Sequence, residues 1–156
     1  LREIRGDFVM ETCLTVGSGS QSANIYEDRK GGGLLVWKDE MNRILLQTSF
    51  SYWGAGDLDF NEDMIGMGAR TAGNFIHLGS YPFKADRVWL RMERKSDRFT
   101  GYVSKDGENW YRCGWADIPM EGPIKVGIYA CCPHLPTTTT RFEYFKLYRP
   151  TKSSGE

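Results

Sequence analysis

Apolar and polar residues alternate with a period of two along most of this chain, and that alternation limits it to strands. Phe8, Met10, Leu14 and Val16 fall on one side of an extended segment, with Val9, Glu11 and Cys13 on the other. Ile44, Leu46 and Phe50 alternate with Arg43, Leu45, Gln47 and Ser49. Val88, Leu90 and Met92 alternate with Trp89, Arg91 and Glu93, and Ile124, Val126, Ile128 and Ala130 with Lys125, Gly127, Tyr129 and Cys131. Near the end, Phe142 and Tyr144 alternate with Glu143, Phe145 and Leu147. Successive strand side chains point to opposite faces, so each run has one face for a core and one for a second surface. No segment carries a capped helical stripe. The pattern predicts an all-β, two-sheet antiparallel sandwich, with most of the glycines at its turns.

One stretch fixes its own register. With Ser96-Asp97 as a two-residue hairpin loop, Met92 faces Gly101, Leu90 faces Val103 and Arg94 faces Phe99. On the other side Glu93 faces Thr100, Arg91 faces Tyr102 and Trp89 faces Ser104. Asp106-Gly107 then reads as the next tight turn. That turn would put Trp110 opposite Val103, in the core. The stretch from Ser51 to Gly73, rich in glycine and acidic residues, reads as a long irregular excursion, where binding residues tend to sit.

Composition enters as a set of exclusions. At 156 residues and 40% hydrophobic content, the chain can bury a core without metal or disulfide staples. We expect one domain over residues 1–150 and a polar tail or linker over 151–156. Lys and Arg total 20, as do Asp and Glu, so no net basic field favours nucleic acid. No apolar run is long enough to insert in a membrane. Leu1-Arg2-Glu3 does not read as a natural start, so we expect a domain of a longer protein, and the compartment stays open. The four cysteines, Cys13, Cys113, Cys131 and Cys132, lack CxxC spacing; reduced thiols are the first reading and one disulfide the second.

A family resemblance rests on Gly6-Asp7-Phe8, Gly32-Gly33-Leu34-Leu35-Val36, Val88-Trp89-Leu90-Arg91-Met92-Glu93-Arg94, Phe99-Thr100-Gly101-Tyr102 and Ser104-Lys105-Asp106-Gly107-Glu108-Asn109-Trp110, in that order. The pattern resembles the concanavalin A-like lectin/glucanase superfamily over roughly residues 6–149. Within it, the chain is most similar to bacterial regulation-of-enolase-like domains and to the fructan-binding modules appended to glycosidases. The resemblance implies a jelly roll of two curved sheets, often with a ligand on the concave one. That family usually has a strand or two before the Gly-Asp-Phe element, whereas this sequence begins almost at it.

Several groups of residues are candidates for chemistry. Trp37, Gln47, Trp89, Arg91, Glu93, Tyr102 and Tyr129 all fall opposite the core-facing sets. Aromatic faces stack on sugar rings, and Arg, Glu and Gln hydrogen-bond vicinal hydroxyls. The alternative is an ordinary second face of cross-strand pairs, with Arg91 and Glu93 satisfying one another. Trp53 adds an aromatic ring from the irregular stretch. Asp57, Asp59, Asn61 and Asp63 recur every second residue, which suits the oxygen-rich coordination of calcium; a solvated acidic loop is the plainer reading. The same stretch has the Glu-x-Asp-x-x-Glu spacing of the superfamily's glucanases, with Asp57, Asp59 and Glu62 in those places, but Asp57 is one methylene short and the strand context is missing. Cys131-Cys132-Pro133-His134 could bind a transition metal, or simply form a rigid rim loop.

The expectation is therefore a non-catalytic ligand-binding module of a larger protein, with carbohydrate as ligand, the other domains of that protein as partners, and calcium as its candidate cofactor. A protein–protein or oligomerisation module is the first alternative and a glycoside hydrolase the second.

Overall fold

The computed structural model describes residues 1–16, 31–48, 64–83, 85, 87–131 and 139–150. Among these the regular elements are strands: β1 (Arg2–Ile4), β2 (Phe8–Val16), β3 (Gly31–Asp39), β4 (Asn42–Thr48), β5 (Met64–Thr71), β6 (Asn74–Pro82), β7 (Arg87–Lys95), β8 (Arg98–Ser104), β9 (Tyr111–Asp117), β10 (Ile124–Cys131) and β11 (Thr140–Tyr148). They form a six-stranded sheet in the order β1-β10-β3-β4-β5-β6 and a five-stranded sheet in the order β11-β2-β7-β8-β9. Every pairing is antiparallel. The two sheets stack as an all-β jelly-roll sandwich of the concanavalin A-like kind.

The alternating residues make the core. Phe8, Met10, Leu14, Leu90, Met92 and Phe99 come from the five-stranded sheet and Leu34, Ile44, Leu46, Met67 and Ile124 from the other, all fully buried. Burying such side chains stabilises the fold by roughly 1.5–3 kcal/mol each. Gly101 lies within this layer because the opposite sheet fills its place. A Cβ there would stand 2.9 Å from Met67 Sδ and 3.1 Å from Leu46. The β7–β8 hairpin has the register expected of it at every pair from Trp89–Ser104 to Lys95–Arg98. Its loop holds Ser96 at φ +55°, a left-handed conformation that Asp7 steadies by accepting the Ser96 N–H at 2.8 Å.

Five expectations change. The excursion ends sooner than Gly73: Met64–Thr71 is strand β5, and Gly66 and Gly68 sit inside it, against β4. Trp110 is not in the core, because Val103 pairs with Tyr111 and the tryptophan turns to the outer face. The β8–β9 connection is longer than a two-residue turn: the Asp106 carboxylate gathers the N–H groups of Glu108 and Asn109, the Asn109 side chain and the Ser104 hydroxyl. Of the alternating β10 residues expected in the core, Ile124 and Val126 are buried, while Ile128 and Ala130 are exposed. On β11 a bulge between Phe142 and Tyr144 reverses the phase, so Phe142, Phe145 and Leu147 pack on the core and Tyr144 faces out.

Trp53, the acidic residues Asp57, Asp59, Asn61 and Asp63, Glu62, and the segment Cys132–His134 lie outside the described residues.

Candidate functional site

The outward residues divide between two surfaces. On the six-stranded sheet Trp37 sits between Lys125 and Arg43, Gln47 between Gly33 and Gly66, and Tyr129 beside Gly33. The Arg43 guanidinium lies 5.8 Å from the Trp37 ring. On the five-stranded sheet Trp89, Arg91 and Glu93 line β7, with Tyr102 of β8 opposite Arg91. The core separates these sets, and packed sheets lie about 10 Å apart before either outer surface begins. A single small ligand touches one set or the other.

On the five-stranded sheet Arg91 is bound to its own protein. Its Nε and Nη2 donate to Glu11 Oε2 at 3.1 and 2.8 Å, and its guanidinium stands 3.9 Å over the Trp110 ring. Tyr144 donates its hydroxyl to Glu11 Oε1 at 2.6 Å. Glu11 is buried, so this carboxylate depends on those donors in place of water. Burial first, then the hydrogen bond to Glu11, pushes the Tyr144 hydroxyl well above its ordinary pKa. Arg91 therefore pairs with Glu11 and not with Glu93.

Trp89 is likewise occupied. Its pyrrole edge meets Gly107, where a Cβ would stand 2.9 Å from Nε1, and the Arg87 guanidinium is 4.5 Å from its ring. Arg87 is in turn paired with Glu143 at 2.6 Å. Trp89 supports the surface more than it offers a free stacking plane.

Glu93 is different. It lies half-buried between Val9 and Thr100 and makes no ion pair among the described residues. The row through it runs across all five strands as Tyr148, Val9, Glu93, Thr100 and Trp115. Strands about 4.8 Å apart set Tyr148 and Trp115 roughly 19 Å from one another. Both rings are exposed, at 44% and 46%, and Arg98 flanks Trp115 at 4.6 Å. Tyr102 stands in the adjacent row. Burial raises its hydroxyl pKa, with the Glu93 charge adding to the effect. Beside Glu93 and Val9 the surface opens into a depression of about 720 Å³, bounded also by Arg5, Gly6, Asp7, Lys95 and Arg149.

Sequence reasoning missed Glu11, Tyr144, Trp110, Trp115 and Tyr148. Glu11 carried a signal, a charged residue facing the same way as Trp89 and Arg91. Tyr144 and Trp110 did not, because a bulge and a longer turn altered their phase. Among the described residues no three His, Cys, Asp or Glu side chains gather as a metal site. Cys13 and Cys113 are free buried thiols.

Comparison with known proteins adds the following. The family model described as "Protein of unknown function (DUF1349)" matches residues 78–150. No curated protein matches the chain. A functionally unknown protein from Saccharomyces cerevisiae is similar at 18% identity and TM-score 0.76, over 96% of this chain and 72% of that one. A GH43 protein from Bacillus licheniformis is similar at 13% identity and TM-score 0.74, over 94% of this chain, which spans only 28% of that protein. Carbohydrate-binding module CBM66 from Bacillus subtilis is similar at 17% identity and TM-score 0.60, over 94% and 76%. The exoplasmic/lumenal domain of VIP36, in a Ca2+/Man-bound form, is similar at 14% identity and TM-score 0.58, over 93% and 68%. These likenesses establish the fold alone: a two-sheet antiparallel jelly-roll sandwich of the concanavalin A-like kind.

Proposed function

We propose that this chain is a non-catalytic carbohydrate-binding module of a larger protein, and that its ligand lies on the outer face of the five-stranded sheet. One observation carries the reading: the row in which exposed Tyr148 and Trp115 flank Glu93 and Thr100, with Tyr102 alongside. Aromatic rings at the ends supply stacking, and in the middle the Glu93 carboxylate, without an ion pair among the described residues, accepts hydroxyl hydrogen bonds. Arg91 and Trp89 hold the middle of the row in place. Trp37, Gln47 and Tyr129 form the competing surface on the opposite face. The names of CBM66 and VIP36, and the resemblance to fructan-binding modules, support carbohydrate as the ligand class. A GH43 protein with this fold in part of its length supports an accessory place in a longer chain. Asp57, Asp59, Asn61 and Asp63 support a calcium role by their spacing. Trp53, from the same stretch of sequence, is a further candidate contact.

A glycan array on the purified domain, with calcium and again with chelator, identifies the ligand. Affinity for that ligand is then measured for Glu93→Ala, Tyr102→Phe and Gln47→Ala. We expect the first two to weaken binding about tenfold or more and Gln47→Ala to leave it unchanged. The reverse pattern would move the site to the six-stranded sheet. The exposure of Trp115 and Tyr148 on one face also favours a protein-contact reading. Concentration-dependent sedimentation of a domain that binds no glycan would select it.

A further inference from the structure

The depression beside Glu93 has a charge pattern that the sheet face lacks. Arg5, Lys95 and Arg149 stand exposed around it, and none makes an ion pair among the described residues. Arg94 also borders it and is almost fully buried, at 8% exposure. Its Nε and Nη2 donate to the carbonyls of Ser96 and Met120, both at 2.8 Å, so neutral oxygens and not a carboxylate meet its charge. Two acidic groups share the lining. Asp7 is held to the Ser96 N–H, and Glu93 faces the sheet surface. Four cations against two carboxylates leave an attractive field for an anion. Low-dielectric walls on one side of a cleft strengthen such a field.

The mixed lining also selects the kind of anion. A compact dianion such as phosphate would meet repulsion from both Asp7 and Glu93. A singly charged carboxylate on a polyhydroxylated ring has a partner for each part: the carboxylate for the Arg and Lys side chains, and a hydroxyl for Glu93. At about 720 Å³ the depression falls within the range of small-ligand pockets.

We infer that this depression is an acidic-sugar subsite, which takes the carboxylate of a uronic acid residue at one end of a glycan lying on the five-stranded sheet. The inference rests on the carbohydrate-binding reading above and adds the substrate class to it. Arginine supplies the two-point carboxylate recognition, and Lys95 supplies a point charge.

The test is titration calorimetry of the purified domain with tetragalacturonate, its fully methyl-esterified form, a neutral tetragalactan and inorganic phosphate. Esterification removes the charge and keeps the rings. We expect tetragalacturonate to bind about tenfold or more tighter than its ester, and to lose that advantage in the Arg5→Gln/Arg149→Gln variant. Higher salt should reduce the same difference. Thermal unfolding confirms that the variant is folded, since both substituted side chains are on the surface. Equal binding of acid and ester, or an acid preference that survives the variant, would overturn the subsite. So would phosphate binding as tightly as the uronide. If neutral sugars bind and Glu93→Ala abolishes it while the charge makes no difference, the acidic subsite fails and the carbohydrate reading stands. If none of these saccharides binds, the acidic subsite fails, and the glycan array decides the carbohydrate reading separately.

Discussion

Arg91→Met should destabilise the fold far more than an ordinary surface substitution. The change removes two charge-assisted hydrogen bonds, at 3.1 and 2.8 Å, from a carboxylate that is 8% exposed. Glu11 would keep only the Tyr144 hydroxyl. Breaking a fully buried ion pair costs roughly 3–5 kcal/mol, and partial access of water to Arg91 lowers that figure. Loss of the guanidinium from the Trp110 ring adds about 0.5–1 kcal/mol. Together these predict a loss of about 2–4 kcal/mol. For a chain of this length each kcal/mol shifts Tm by about 2–4 °C, so Tm should fall by about 5–15 °C. The assay is thermal and urea unfolding of wild type, Arg91→Met, Glu11→Gln and the double variant at neutral pH. The double variant should recover part of the loss, with a coupling of about 1–3 kcal/mol, because no unpaired charge is left behind. Additive single effects, or an Arg91→Met variant as stable as wild type, would refute the argument that Glu11 needs Arg91. The same reasoning makes Arg91 unsuitable as a binding probe and Glu93 the better choice.

Burial pushes the Cys113 thiol up to about 12, so the folded state holds its proton where the unfolded chain releases it. The stability this supplies is intact below pH 9 and is lost as pH rises toward 12; Cys113→Ala should show a shallower alkaline decline in Tm. Asp106 behaves with the opposite sign. The Asn109 side chain, then the Asn109 and Glu108 N–H groups, hold its carboxyl below the usual 3.8. Its contribution is present above that value and disappears as pH falls below it, so Asp106→Asn should flatten the acid limb of the stability profile. Gly33→Ala should not fold, because the added Cβ would overlap the backbone carbonyl of Leu46, which cannot move without breaking the β3–β4 ladder; a circular dichroism spectrum of the wild-type form would contradict this.

How much of this was legible in the sequence depended on whether the pattern was local. Core residues such as Met10, Leu46, Leu90 and Val126 were readable because alternation is a property of each strand alone. The β7–β8 register was readable because a two-residue loop fixes it. Single extra residues defeated the same logic. One bulge in β11 moved Tyr144 to the outer face, and the longer Asp106 turn moved Trp110 out of the core.

Alternation along each strand was enough to expect a two-sheet sandwich and to tell which side of most strands is apolar, since both follow from a period of two. Beyond the β7–β8 hairpin, it could not determine which strands share a sheet. That is decided by long-range pairing, which unites β2 with β7 and β11 and places Trp37 and Trp89 on opposite sides of the molecule. Long-range packing alone gives Arg91 to Glu11, leaves Glu93 without an ion pair among the described residues, and sets Tyr148 and Trp115 at the two ends of its row. Those relations join residues far apart in the chain, and no local periodicity encodes them.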